Sequence, residues 1–447
     1  MGQDTLLLIY LGISLVIMLG LVVKFKINVA ISLVMASLFM GLASGLGLLG
    51  TLDGISQGFG GLMTDLGIPI GLGVILGKLI SDSGGAYSIA EAILKRTNEK
   101  WALYSLGIAS FVLAIPVFFD VAFIILVPLA IQLGNKINKP LPYAVGAIII
   151  GAAIAHTLVP PTPNPLAAAG ILDFDLGIMI VVGVIVGLLG TLCTVKIYFM
   201  ILDKGFWNKD TDEDATMENP YGTMDIPENR PSAFLSIIPI VLPSILILFG
   251  SFGNVFFDEN PAIITFLSDR IVALLAGTIV AYFVAAKALN KNKRDLSSSE
   301  AMQAAGIVLL ITGAGGSFGT IIKSTGIDQA ILNIFVSDAH STISVLLVAF
   351  FMGVLFRTIT GSGTVAGITT MTIMAGVSAG VDVHPVWVAM ASLSGGLMLG
   401  HVNDSGFWIS TKIAGLSVKG GLKTYTTSEA IAGFVVIIIT IIGAHIF

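Results

Sequence analysis

Apolar runs of about 20 residues recur from one end of the chain to the other, the length that crossing a bilayer demands. A run in hydrocarbon must satisfy its own backbone N–H and C=O groups, which leaves only a helix or a closed barrel. These runs are continuous and lack the period-2 alternation of barrel strands, so they read as helices. Composition agrees: 11% of the residues are charged, against about 25% in a soluble domain, too few to cover a water-facing surface. The fold class is therefore an all-α polytopic membrane protein.

The runs predict spans near 5–23, 27–49, 68–94, 141–172, 176–202, 233–252, 268–289, 301–322, 386–415 and 428–446. No cleavable signal pattern precedes the first, "TLLLIYLGISLVIMLGLVV", which reads as a retained span. Four other segments are too short to cross. "LYSLGIASFVLAIP" (103–116) and "VAFIILVPLAIQLG" (121–134) would each reach about 21 Å as helix and flank "VFFD". Basic loops at both outer ends make them the limbs of a re-entrant hairpin. "ISVLLVAFFMGVLF" (343–356) and "TVAGITTMTIMAGV" (364–377) repeat the device around "RTITGSG".

Glycine pairs, hairpins and broken spans recur in the same order in both halves. Gly84-Gly85 answers Gly315-Gly316, and "AHTLVPPTPNP" (155–165) answers "GHVNDSGFW" (400–408), setting His156 against His401. The pattern implies two repeats, 1–203 and 233–447, joined by the polar linker 204–232, which reads as a solvated connection. Each repeat holds five crossings, broken helices and one hairpin; an odd number of crossings inverts the second, as in secondary transporters. Lys and Arg gather in the linker and the loops on its side, so that side is predicted cytoplasmic and both termini outside.

A helix broken inside a membrane survives only where protein or a wet cavity satisfies its freed backbone. Helix-start chemistry marks these breaks. Asn164 precedes Pro165; Asn403, Asp404 and Ser405 precede a half-helix; Asp120, and Ser362 or Thr364, stand at the second limbs of the hairpins. Four half-helix N-termini around one centre would suit an anion. The neighbouring Thr162, Asn164, Ser362, Thr364, Asn403 and Ser405 would suit its hydroxyls.

At these letters the chain resembles the gluconate permease family (gluconate:proton symporters) of the ion-transporter superfamily. "SDSGGA", "IPVFFDVAFIILVP", "AHTLVPPTPNP", "ITGSGTVAGIT" and "GHVNDSGFW" carry the resemblance over nearly the whole chain. It implies cation-coupled, usually proton-coupled, uptake of gluconate or other small hydroxy acids, D-serine among them. The chain departs from many members at Asp120, at Thr162 and in "RTITGSG", positions that bear on the substrate rather than on the class.

The expected function is secondary active import of a small hydroxy acid by proton symport. Sodium coupling or a D-serine or glycerate permease stands as the alternative, with a channel or intramembrane hydrolase behind. Asp120 is the favoured proton site, with His156, His401 and Asp404 as alternatives; each could instead serve only as a cap or a buried hydrogen-bonding group. Arg357 either faces the substrate carboxylate, pairs with an aspartate or snorkels. Lys78 raises the same question. No H-E-x-x-H motif, P-loop or nucleic-acid signature occurs, so neither metal nor cofactor is expected; a homo-oligomer is left open. Cys193 is the one cysteine, which rules out an internal disulfide.

Overall fold

The computed structural model describes residues 3–95, 98, 101–214, 227–253, 261–326, 342–378, 383–402 and 404–446. Among these the chain is helical throughout, apart from one isolated bridge between Glu213 and Leu416. The helices are α1 (Gln3–Val23), α2 (Val29–Ala43), α3 (Gly47–Asp82), α4 (Gly85–Lys95), α5 (Ala102–Ala114), α6 (Phe119–Lys136), α7 (Leu141–Leu158), α8 (Pro163–Ile171) and α9 (Leu176–Ile201). Then follow α10 (Lys209–Asp212), α11 (Ala233–Ser251), α12 (Ala262–Ser268), α13 (Arg270–Ala285), α14 (Lys291–Ser324), α15 (Thr342–Thr360) and α16 (Gly363–Ser378). The chain ends with α17 (Pro385–Leu397), α18 (Ser405–Ile413), α19 (Val418–Gly421) and α20 (Thr427–Ile446). By length and composition six spans can cross a bilayer, and the α12–α13 pair, bent by 61°, makes a seventh.

Helix starts follow the local chemistry. Asn28, Asp175, Ser232, Asp269 and Asn290 each accept a backbone N–H of the helix that they open. The segments expected to form the hairpin limbs are helices joined by short breaks, α5–α6 and α15–α16, and the two expected broken spans are the interrupted pairs α7–α8 and α17–α18.

The centre is built on two helices that are apolar all round, the pattern that buries a helix completely. Every residue of α7 from Pro142 to Leu158 except His156 is buried, and so is α17 from Val386 to Leu397. Each takes one hairpin limb at close range through glycine. Gly151 of α7 lies against the Gly107 carbonyl of α5, and Ser110 donates to the Ile148 carbonyl at 2.7 Å. Gly395 of α17 lies against Gly353 of α15 and the Phe350 carbonyl.

Two expectations are corrected. Residues 50–67, taken to lie between spans, are helical: the predicted spans 27–49 and 68–94 become α2, a 36-residue α3 and, after a turn at Gly84, α4. That stretch, "GTLDGISQGFGGLMTDLG", is poor in apolar residues because its glycines serve a helix crossing. Gly58 and Gly316 of the 34-residue α14 each lie against the other's carbonyl, Gly313 faces Phe59, and Ser317 donates to the Ile55 carbonyl at 2.8 Å.

The linker, secondly, is docked rather than solvated at both described ends. Asp212 is fully buried and accepts from Lys423 at 2.6 Å and from the Asn208 N–H at 2.8 Å, while Ser417 N–H donates to its carbonyl. Arg230, at the other end, meets Glu91 at 3.2 Å and lies over the Tyr87 ring. Burial pushes the Asp212 carboxyl up, but hydrogen bonds from Lys423, Asn208 and Thr211 outweigh it and hold it below its ordinary value.

A carboxyl held low contributes stability that is complete above its unfolded pKa and disappears as pH falls through the lower native one. Asp212→Asn should therefore lower the thermal midpoint of detergent-solubilised protein at neutral pH, by a loss of about 1–3 kcal/mol. Melting curves should converge with those of the native protein only in strong acid. Gly58→Val should cost about 1–3 kcal/mol by overpacking the crossing, also read from melting.

Candidate functional site

Four helix starts meet around a cavity of about 200 Å³. Phe118, Phe119 and Asp120 line it from the start of α6, and Asn164 from the start of α8. Gly361 to Thr364 line it from the tip before α16, and Asp404, Ser405 and Gly406 from the start of α18. His156, Arg357, Tyr425 and Glu429 complete the polar wall. Each start exists because its sequence ends one helix and opens another. Gly361 turns with φ at 72°, Ser362 accepts the Val365 N–H at 3.3 Å, and Asp404 accepts the Gly406 N–H at 2.9 Å.

Arg357 is the electrostatic centre. It is 5% exposed, and its Nη1 donates to the Gly361 carbonyl at 3.0 Å. Its Nη2 donates to Asp404 Oδ2 at 2.5 Å and to Glu429 Oε2 at 2.9 Å, with the Tyr425 hydroxyl at 3.4 Å. Tyr425 in turn donates to Asp404 Oδ2 at 2.7 Å. Gly400 N–H donates to Glu429 Oε2 at 3.1 Å and Thr426 donates to the Gly400 carbonyl, so the break between α17 and α18 is fastened to the start of α20. Of the three readings of Arg357, the aspartate pair is the one formed; the side chain does not snorkel.

The remaining expected residues divide. Asp120 is no cap: Phe118 holds that position, and Asp120 sits in the first helical turn, facing the cavity without an ion pair among the described residues. Asn164 is buried, its Nδ2 reaching the Gly363 carbonyl at 3.5 Å while Oδ1 has no partner among the described residues. His156 packs against Phe118, and its buried Nδ1 also has none among them. Ser362, Thr364 and Ser405 line the cavity as expected. Thr162 and His401 do not. The Thr162 hydroxyl turns back to the Val159 carbonyl at 2.7 Å, and His401 Nε2 lies 3.1 Å from the Thr358 carbonyl. Asn403 lies outside the described residues. Lys78 is paired with Asp82 and Glu300.

Glu429 and Tyr425 were not foreseen. Glu429 did carry a signal, as the only carboxylate in the last apolar run, but it stands at the edge of the predicted span and reads there as an interfacial residue. Tyr425 carried none; only the fold turns "KTYTTSE" toward Arg357.

Residues 5–446 match the model of the GntP family permeases. The inner membrane permease YgbN of Escherichia coli is 33% identical over 460 residues, covering 98% of both chains. An uncharacterized permease of Haemophilus influenzae is 32% identical, covering 95% of this chain and 89% of its own. A gluconate permease of Pseudomonas aeruginosa is 31% identical over 97% of both. Among solved structures, the Alcanivorax borkumensis YdaH transporter superposes with a TM-score of 0.67 at 12% identity, covering 93% of this chain and 98% of its own. Neisseria gonorrhoeae MtrF gives 0.61 at 14% identity, over 88% and 84%. At such identities the structures speak for the fold alone, a transporter fold.

Removing the cation from this cluster should be costly. Arg357→Gln leaves Asp404 and Glu429 facing each other in a buried site and should destabilise by about 3–5 kcal/mol. The double variant Arg357→Gln/Glu429→Gln should recover part of that loss in melting experiments.

Proposed function

The chain belongs to the GntP family of permeases, and from that premise we propose that it imports gluconate or a related small hydroxy acid by proton symport. It is a multi-pass cell-membrane transporter rather than an enzyme, and its substrate is a small molecule. The observation that carries the reading is the cavity wall. Four helix starts, which concentrate N–H donors and positive dipole ends, surround buried polar atoms of Asn164 and His156 that have no partner among the described residues. A carboxylate suits the former, and hydroxyls beside it would complete the latter. At about 200 Å³ the space is below the roughly 300–1,000 Å³ of drug-sized sites, which favours a small solute.

The same wall argues for a coupling cation. Three carboxylates, Asp120, Asp404 and Glu429, line the cavity with one guanidinium, and two of them already pair with it. A substrate anion added to that excess meets like charge unless a cation enters with it. A proton needs no coordination shell, and Asp120, facing the cavity outside the Arg357 cluster, is the residue to receive it. The chain divides in this reading into repeats 1–203 and 233–447, the second inverted, with the linker 204–232 cytoplasmic and both termini outside. Alternating access comes from movement of the hairpin-bearing units against the other helices.

In proteoliposomes with separately imposed gradients, an inward proton gradient should drive gluconate accumulation. Accumulation driven by sodium and indifferent to the pH gradient would reject the proton. Competition by glycerate and D-serine would delimit the substrate class, and failure of every hydroxy acid to compete would reject it. Asp120→Asn should lose pH-driven accumulation far more than counterflow; unchanged accumulation would remove Asp120 from the coupling.

A further inference from the structure

The Arg357 cluster is oversubscribed. A single nitrogen, Nη2, is shared between Asp404 and Glu429, and the trio carries one negative charge in excess when both acids are ionised. Arg357 Nε is buried with no hydrogen-bond partner among the described residues, so the guanidinium is not used up by the geometry seen. Among the residues lining the cavity Arg357 is also the sole permanent cation. A substrate carboxylate that reaches the cavity therefore meets a guanidinium whose outward nitrogen is already occupied by the protein's own acids.

The two acids are not held alike. Asp404 is fixed three ways: it caps α18 through Gly406 N–H, accepts the Tyr425 hydroxyl, and sits 2.5 Å from Arg357. Releasing it would uncap a half-helix. Glu429 is longer by one methylene and comes from α20, and it meets Arg357 at 2.9 Å and Gly400 N–H at 3.1 Å through the same oxygen, Oε2. It can leave without opening any helix start.

Resting on the functional reading above, we propose that Glu429 is the resident ligand of Arg357, displaced by the incoming substrate carboxylate and protonated as it leaves, by a proton additional to the one assigned to Asp120. Glu429 is then a positioning residue that selects for a single carboxylate. The groups facing it explain the proton. Among the described residues lining the cavity, Arg357 from α15 is the one permanent cation; Asp404 from the start of α18, Tyr425 from the turn before α20, Asp120 from α6 and His156 from α7 line the same space. Once Arg357 has turned to the substrate, an ionised Glu429 would face two anions at close range. One proton taken from water onto its carboxylate restores the original charge of the cluster: Arg357 with one partner acid and one carboxylate, now the substrate's. A second carboxylate on the substrate would have no cation left, so dicarboxylates are excluded.

The test is gluconate counterflow in proteoliposomes across a pH series, with glycerate as a second probe and glucarate as the dicarboxylate. Glu429→Gln imitates the protonated state and should lower the half-saturation constant at neutral pH by about ten-fold, the difference between displacing a charged and a neutral hydrogen-bond partner. Its dependence on pH should flatten. Glu429→Asp, which keeps the charge, should keep the pH dependence and thereby separates exchange from mere loss of packing. A half-saturation constant in Glu429→Gln that is unchanged or raised, with native pH dependence, would overturn the exchange. So would competition by glucarate as strong as that by glycerate in the native protein. Absence of any hydroxy-acid counterflow in the native protein would reject the functional reading and the exchange with it. Native counterflow with unaltered behaviour in Glu429→Gln would reject the exchange alone.

Discussion

The guanidinium of Arg357 joins parts of the chain that are otherwise separate. It belongs to α15, holds the hairpin tip through the Gly361 carbonyl, pairs with the residue that opens α18, and reaches Glu429 on the closing helix. A charge buried in this way is tolerated only while its partners are in place, since desolvation of an unpaired ion costs several kcal/mol. The pairings therefore hold the tip, the break and the last helix in one arrangement. Glu429, through Gly400, extends the same constraint to the backbone between α17 and α18. The cavity keeps its shape as long as the guanidinium stays paired, with Asp404 held at the start of α18 and an acid in the place that Glu429 occupies.

Around this centre the fold supplies close approach. α7 and α17 are apolar on every side, and glycine lets a hairpin limb lie directly on each of them. Within that packing the buried polar side chains are small hydroxyls bonded to helix carbonyls, as at Ser110, Ser392 and Ser394, and the charged and amide groups collect at the breaks. The concentration of Asn, Asp, Ser and His in "AHTLVPPTPNP" and "GHVNDSGFW" is the sequence's record of where the regular backbone ends.

Much of this was legible in the letters, and the failures have physical causes. Hairpins and breaks announce themselves because lipid forbids an unpaired backbone, so Asp120, Asn164, Ser362 and Asp404 could be assigned to helix starts from local chemistry alone. Thr162 and His401 could not be excluded by the same means: whether a side chain faces the cavity or turns to a nearby carbonyl depends on rotation about a break. The long α3 was obscured because a helix that crosses another at glycine has the composition of a loop. Glu429 was hidden by its position at a helix edge, where a carboxylate ordinarily meets water; only the folding of α20 against α15 brings it to Arg357. The docked ends of the linker depend on contacts 211 and 139 residues apart in the chain, beyond the reach of any local pattern.

The meeting of four helix starts at one cavity has a consequence for what chemistry can alter there. Carboxylates, histidine and guanidinium change with protonation or substitution, and a single replacement can invert their sum. The positive ends of four helices cannot be titrated and are not encoded in any one side chain. Part of the potential felt by a bound solute is therefore written in the backbone, constant over pH and indifferent to most point changes. Variation at the side chains can retune what a bound solute meets, while the positive contribution of the four helix ends remains with the fold.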